Sequence, residues 1–321
     1  MSQVRLGILG MGRLGKIHKK CMATTAFELI GCYDPKGVDD ADIKAYPSEE
    51  ALISDCDACL VVSDTTQHFR LAQKVLKMGR HCFVEKPMTS TLSEAEELVD
   101  LGDQYPNLVK QVGFVERFNP AVKFVKKEIR APKFVEVHRL APFNERGMDV
   151  SVIYDLMIHD LDLLLWMMQS AIREIKATGV NVFTELIDIC NARIEFEDGS
   201  VANVTASRMS MKVMRKFRLF QSDGYISMDL GKKESQITRL YDEAGSETSP
   251  LSVGGVEKHV SFSSSGALTG NAIEEELLAF HSAIINKENS LVDFHAAMAS
   301  MQLASQIESI ANENIKLNAY A

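Results

Sequence analysis

The sequence predicts an α/β protein in two parts. The first has a parallel sheet with helices on its faces, and the second is an α+β domain with an open, mostly antiparallel sheet. Three observations carry this. Short apolar runs alternate with segments of helical period up to about residue 115. A glycine-rich turn joins the first run to the first helix. Beyond about Asn119 the apolar runs follow one another with turn signals and few helices between them.

Residues 4–9 form a largely apolar run closed by Gly10, the pattern of a buried strand. A helix is expected over 13–22, and further strands over 28–33, 59–62, 81–84 and 109–114. Helical spacing of apolar residues marks 67–78 and 93–104. Parallel neighbours need a connection of about a dozen residues or more. Only eight residues separate Asp34 from a short candidate strand at 43–46. Either the helix after the second strand is reduced to a loop, or 43–46 is not a strand. In the second part the expected helices are 121–129 and 151–168, with strands near 134–139, 172–182, 189–196, 201–206, 217–221, 225–228 and 236–241. Asp198-Gly199 and Asp223-Gly224 supply turns between some of them. The Ser- and Gly-rich segment 248–270 reads as a loop or ragged edge, and helices over 272–286 and 295–312 close the chain. The expected domains are 1–118 and 119–321.

Composition sets the outer limits. The chain has 321 residues, 46% hydrophobic and 25% charged, with a net charge of −9. That is ordinary for a globular protein and too acidic for sequence-independent nucleic-acid binding, which needs basic patches. No apolar run reaches the ~18 residues of a membrane span. The N-terminus lacks the pattern of a signal peptide, so the expected location is the cytoplasm. Of the six cysteines, Cys56 and Cys59 form a C-x-x-C, but no second ligand pair accompanies it. There cysteine reads as a small buried hydrophobe.

Gly10-Met11-Gly12-Arg13-Leu14-Gly15 has the spacing G-x-G-x-x-G between a strand and a helix, the context of a dinucleotide-binding turn in a Rossmann domain. The helix N-terminus offers free N–H groups to a pyrophosphate. Asp34 ends the second strand nineteen residues after Gly15, where a carboxylate bonds ribose hydroxyls and repels the extra phosphate of NADP. NAD is therefore the expected cofactor. NADP is not excluded, because Lys36 can meet a phosphate if its loop bends inward.

Two segments carry candidate chemistry. Val84-Glu85-Lys86-Pro87 lies at the C-terminal end of a sheet strand, where ligands of open α/β sheets bind. Lys86 can donate to a substrate hydroxyl, or it is a solvated loop lysine. Asp155 and His159 stand at i and i+4 on one helix face, with Asp162 at i+7. Histidine is the usual general base near neutral pH, and a neighbouring carboxylate can orient it. As metal ligands these three would make a strained set, so no metal is expected. Arg117 and Arg139 suit polar or phosphate groups of a substrate, or equally surface ion pairs.

Together the glycine turn with His18, Asp34-Pro35, Glu85-Lys86-Pro87 and Asp155-x-x-x-His159 resemble the glucose–fructose oxidoreductase / inositol dehydrogenase (Gfo/Idh/MocA) family over nearly the whole chain. The resemblance implies a catalytic set of Lys86, Asp155 and His159. It also implies a cofactor site of Gly10, Met11, Gly12, Arg13, Leu14, Asp34, Ser63, His68, Glu85 and Lys86. Lys86, His159, Arg117 and Arg139 are the expected substrate contacts. A C-terminal sheet that makes a homodimer or homotetramer is implied too. Segments 112–120 and 155–162 look most like the branch that includes UDP-N-acetylglucosamine 3-dehydrogenases. The expected reaction is hydride transfer between nicotinamide and a CH–OH group of a sugar, polyol or sugar nucleotide. The alternatives are an amino-acid or imine dehydrogenase on the same plan, or a non-catalytic NAD-binding regulator. Two departures bear on the cofactor: Asp64 stands where the family commonly has proline, and the crossover helix after Asp34 is missing.

Overall fold

The computed structural model describes residues 3–144 and 150–319. Its first sheet is built from β1 (Val4–Leu9), β2 (Phe27–Tyr33), β3 (Ala58–Val61), β4 (His81–Val84) and β5 (Lys110–Val112), in the order β2-β1-β3-β4-β5. Every neighbouring pair is parallel. The strands are apolar because both faces are covered: Leu6, Ile8, Leu60 and Phe83 are fully buried. Helices α1 (Arg13–Met22), α2 (Glu49–Asp55), α3 (His68–Lys77) and α4 (Leu92–Asp103) connect them. Because all strands run one way, their C-terminal ends place Gly10, Asp34, Ser63 and Lys86 along the same edge of the sheet.

No helix stands between β2 and α2. Segment 43–46 is not a strand, and only Ala45 makes an isolated parallel bridge, to Cys32. The crossover is instead made by α2, which the sequence reading did not foresee. Ser48 caps it, its hydroxyl accepting from the Ala51 N–H at 3.2 Å. Cys56 and Cys59 lie just beyond as buried free thiols, their Sγ atoms 3.1 Å apart.

The second sheet has nine strands: β6 (Phe134–Leu140), β7 (Ile172–Val180), β8 (Ile189–Phe196), β9 (Val201–Ser207), β10 (Met214–Gln221), β11 (Gly224–Asp229), β12 (Glu234–Tyr241), β13 (Ser249–Val253) and β14 (Val256–Ser264). Their order is β13-β14-β12-β11-β10-β6-β9-β8-β7, antiparallel except where β6 meets β9. Helices α5 (Pro120–Val125) and α6 (Ile158–Met167) accompany this sheet in sequence. Period-two burial identifies the inner face, with Val135, Val137, Phe217 and Leu219 buried. On the opposite face Phe134, Phe220 and Tyr225 stack at centroid distances of 5.5 and 4.8 Å, and Leu240, Leu251 and Phe262 are exposed.

One expectation is narrowed and one corrected here. Segment 248–270 is an edge of the sheet rather than a loop: β13 and β14 form a hairpin across Gly254-Gly255, both at positive φ. β13 is exposed throughout, so no apolar alternation marks it. The helix expected over 151–168 is also interrupted. Ile153–Met157 is a π-helical turn closed by the Ile158 N–H donating to the Ile153 carbonyl, and α6 begins only after it.

Helices α7 (Ala272–Asn286) and α8 (Phe294–Ala319) end the fold. The chain divides into two compact units. One comprises the chain up to Val115 together with Asn271–Gln302, and the other Glu116–Gly270 with the chain from Leu303 onward. This differs from two continuous segments meeting at 118/119. The chain returns to the first unit because α7 is apolar on one side: Leu277, Phe280 and Ala283 are buried in the core that holds Phe27 and Phe83. Among the described residues no helix is long and apolar enough to cross a membrane.

Candidate active site

The first unit holds a cradle at the end of β1. Gly10 has φ of +105°, and a Cβ there would lie 2.7 Å from the Ser63 nitrogen. A Cβ on Gly15 would lie 2.2 Å from the Gly10 carbonyl oxygen, so α1 can approach the strand only through glycine. Gly12 differs: its missing Cβ faces open space with nothing within 4 Å. It is also the N-cap of α1, with no side chain capping it and no acid in the first turn. Free N–H groups at an uncapped helix start beside open space suit a phosphate.

Gly10, Gly12, Arg13, Leu14, Asp34, Ser63 and Asp64 line one cavity of about 290 Å³. Met11 is buried, and its N–H donates to Asp34 Oδ2 at 2.8 Å, while the Lys36 N–H donates to Oδ1 at 2.9 Å. Each carboxylate oxygen keeps a further lone pair for a ribose hydroxyl. The residues present therefore fit the adenosine and pyrophosphate portions of a dinucleotide. At the rim, Lys36 Nζ stands 3.4 Å from Asp64 Oδ2. Arg70 holds Glu49 with a bidentate fork at 2.7 and 2.8 Å, which brings the Glu49 carboxyl down to about 2.

Two of the expected cofactor contacts are placed behind these loops. Glu85 is buried, its Oε1 2.7 Å from His18 Nε2 and its Oε2 accepting the Lys86 N–H at 3.1 Å. His68 is 1% exposed, with Nδ1 2.8 Å from the Pro87 carbonyl oxygen and Nε2 3.1 Å from that of Ser63. Burial pushes the His68 imidazole below its ordinary value, and the two carbonyls push partly the other way. Lys86 itself is half-buried at the end of β4, and the Lys86–Pro87 bond is cis. The buried partner His18 carried part of the family resemblance, but its spacing of 67 residues from Glu85 gave no sign of their pairing.

The second unit presents Asp155 on the π turn and His159 one position into α6, both half-buried. Asp162 lies deeper in the unit. It is fully buried and grips Arg117 through two bonds of 2.7 Å. Arg139 is likewise buried, bonded to Asp160 at 2.7 and 2.8 Å and to Glu116 at 3.0 Å. The surface ion-pair reading of these arginines needs correction: both guanidiniums are buried, and their ion pairs are interior ones. They neutralise carboxylates that the apolar sequence of α6 carries into the core. Among the described residues no group of three or more His, Cys, Asp or Glu can hold a metal.

A parallel sheet with this cradle, in one chain with a second unit carrying the D-x-x-x-H helix, defines a two-domain dinucleotide-dependent oxidoreductase. Residues 4–114 match the model of an oxidoreductase family with an NAD-binding Rossmann fold, and residues 128–227 match the GFO/IDH/MocA C-terminal domain. The chain belongs to the Gfo/Idh/MocA family and is an NAD(P)-dependent enzyme acting on CH–OH groups. It is 36% identical over 236 residues to the UDP-N-acetylglucosamine 3-dehydrogenase of Acidithiobacillus ferrooxidans, covering 71% of this chain and 75% of that one. The solved structure of that protein, GnnA, matches with a TM-score of 0.86 at 31% identity, covering 97% of this chain and 98% of that one. Scyllo-inositol dehydrogenase from Lactobacillus casei with bound NAD(H) and scyllo-inositol shares the fold, with a TM-score of 0.77 at 19% identity and 98% of each chain covered.

Proposed function

We propose that the chain is a cytoplasmic enzyme that oxidises a ring hydroxyl of a UDP-N-acetylhexosamine to a ketone, with NAD in preference to NADP. The observation that supports it best is the 31% identity to UDP-N-acetylglucosamine 3-dehydrogenase, sustained over 97% of the chain. Bound NAD supplies the hydride acceptor. His159 takes the hydroxyl proton as general base, Lys86 donates a hydrogen bond to the substrate oxygen, and Asp155 orients His159 and stabilises its charged form. One hydride and one proton leave the CH–OH group as its C=O forms, which balances the reaction. Arg117 and Arg139 have no part in this scheme, since their charges are spent inside the second unit. Asp34 favours NAD because its two oxygens stand where ribose hydroxyls are read. The exposed Phe220, Leu240, Leu251 and Phe262 support assembly into a homodimer or homotetramer through the outer face of the large sheet.

The test is NADH formation with UDP-N-acetylglucosamine, UDP-N-acetylgalactosamine, scyllo-inositol and myo-inositol. A UDP-sugar is expected to have the highest kcat/KM. Faster oxidation of an inositol would move the reading to the polyol branch, which includes a relative from Bacillus subtilis, scyllo-inositol 2-dehydrogenase (NAD(+)), 29% identical over 234 residues.

A further inference from the structure

We infer that Arg70 is a cofactor-binding residue whose flat guanidinium stacks on the adenine ring of the dinucleotide. The inference rests on the dinucleotide reading of the cradle and deepens it. Within the cavity, Gly10, Gly12 and Arg13 suit the pyrophosphate and Asp34 suits a ribose. Beyond them the wall is formed by Glu49 of α2 and by Gln67, Arg70 and Leu71 around the start of α3. Adenine is flat and uncharged, so it is held best by another flat surface. Arg70 offers one that is already fixed. Its Nε donates to Gln67 Oε1 at 3.1 Å, and Nη1 and Nη2 donate to the two Glu49 oxygens at 2.8 and 2.7 Å. These bonds run in the plane of the guanidinium, so they set the plane and leave its faces uncommitted. The side chain is still 49% exposed and lines the cavity. A base that stacks there costs little side-chain freedom. The same bonds argue against phosphate recognition. Glu49 also accepts from Lys74 Nζ at 2.6 Å, and its carboxyl stands at about 2. At neutral pH a carboxylate therefore faces the guanidinium and offsets the charge a phosphate needs.

Three variants separate flatness from charge. Arg70→Lys keeps the charge and loses the plane, Arg70→Tyr keeps a plane and loses the charge, and Arg70→Met keeps neither. The readout is the NADH dissociation constant by fluorescence titration, which needs no known substrate, with a thermal melt to confirm each fold. Arg70→Met and Arg70→Lys are each expected to weaken NADH about five-fold, the worth of one stacked cation–π contact. Arg70→Tyr should stay within about two-fold of wild type, because a base also stacks on an aromatic ring. Recovery by lysine, whatever tyrosine does, would make Arg70 a charge contact and overturns the stacking. Equal weakening in all three variants would mean that Arg70 acts only through its bonds to Glu49 and Gln67, and it overturns the inference too. So does unchanged affinity in Arg70→Met. If Arg70→Met fails to fold, the contrast between lysine and tyrosine decides alone. Failure of the wild-type protein to bind NADH overturns the dinucleotide reading instead.

Discussion

At the rim of the cradle in the first unit, the Lys36–Asp64 pair is exposed and loosely held, whereas beside α6 in the second unit the ion pairs are buried and locked. Lys36 and Asp64 meet at 3.4 Å with side chains 80% and 78% exposed. Arg117 and Asp162 meet at 2.7 Å with side chains 5% and 0% exposed. In water such a pair contributes little and its members stay free to turn toward a ligand. Away from water, each charge depends on its partner, and losing either strands the other. The difference separates charges that can serve binding from charges that hold the framework under Asp155 and His159.

The strongest way to break this comparison is to strip a buried cation. Arg139→Met strips Asp160 of its bidentate partner and leaves Glu116 with only Asn119 and the more distant Arg215, and should cost about 3–5 kcal/mol, read by chemical denaturation. A loss below about 1 kcal/mol would place Arg139 among the exposed kind. Next comes Asp34→Ser, which removes the carboxylate but keeps a small polar group. It should reduce the preference for NADH over NADPH by at least about ten-fold, measured as the ratio of dissociation constants. An unchanged ratio would move the selection to Lys36 and Asp64.

A smaller effect concerns pH. Burial holds the folded-state pKa of His68 below its ordinary 6.5. Between those values the unfolded chain binds more protons, so stability rises with pH through the window and is lost as pH falls through it. The slope from this one group is at most about 1.4 kcal/mol per pH unit. His81 and His281 are lowered in the same direction, so the difference between wild type and His68→Asn isolates His68. Thermal melts across pH 5 to 7, a window set by the ordinary histidine value, should show a shallower dependence in the variant. The smallest effect is Lys36→Ala, expected to change stability by less than about 0.5 kcal/mol. A larger loss would mean that the rim pair is structural after all.

What was legible in the sequence follows from how local each signal is. Gly10, Gly12 and Gly15 act within one turn, and Asp34 ends the strand next to them, so spacing alone revealed the cradle. Strand β8 shows a period-two pattern and helix α1 a helical one, each within its own length. Helix α2 escaped notice because its seven residues make just under two turns, too few to show a helical repeat. The hairpin of β13 and β14 escaped because an exposed edge strand needs no apolar alternation. The placement of Arg117, 45 residues from Asp162, and of Glu85, 67 from His18, depends on tertiary pairing that no local pattern encodes. The residue types were right for either role, and only burial separated them.

The claim at the centre of this account is that Lys86 and His159 turn a dinucleotide-binding chain into a dehydrogenase. Steady-state NADH formation from the best UDP-sugar or inositol, compared among wild type, Lys86→Met and His159→Asn, tests it directly. The account predicts that each variant loses at least about 100-fold in kcat while binding NADH within about three-fold of wild type. Full turnover in both variants would contradict it.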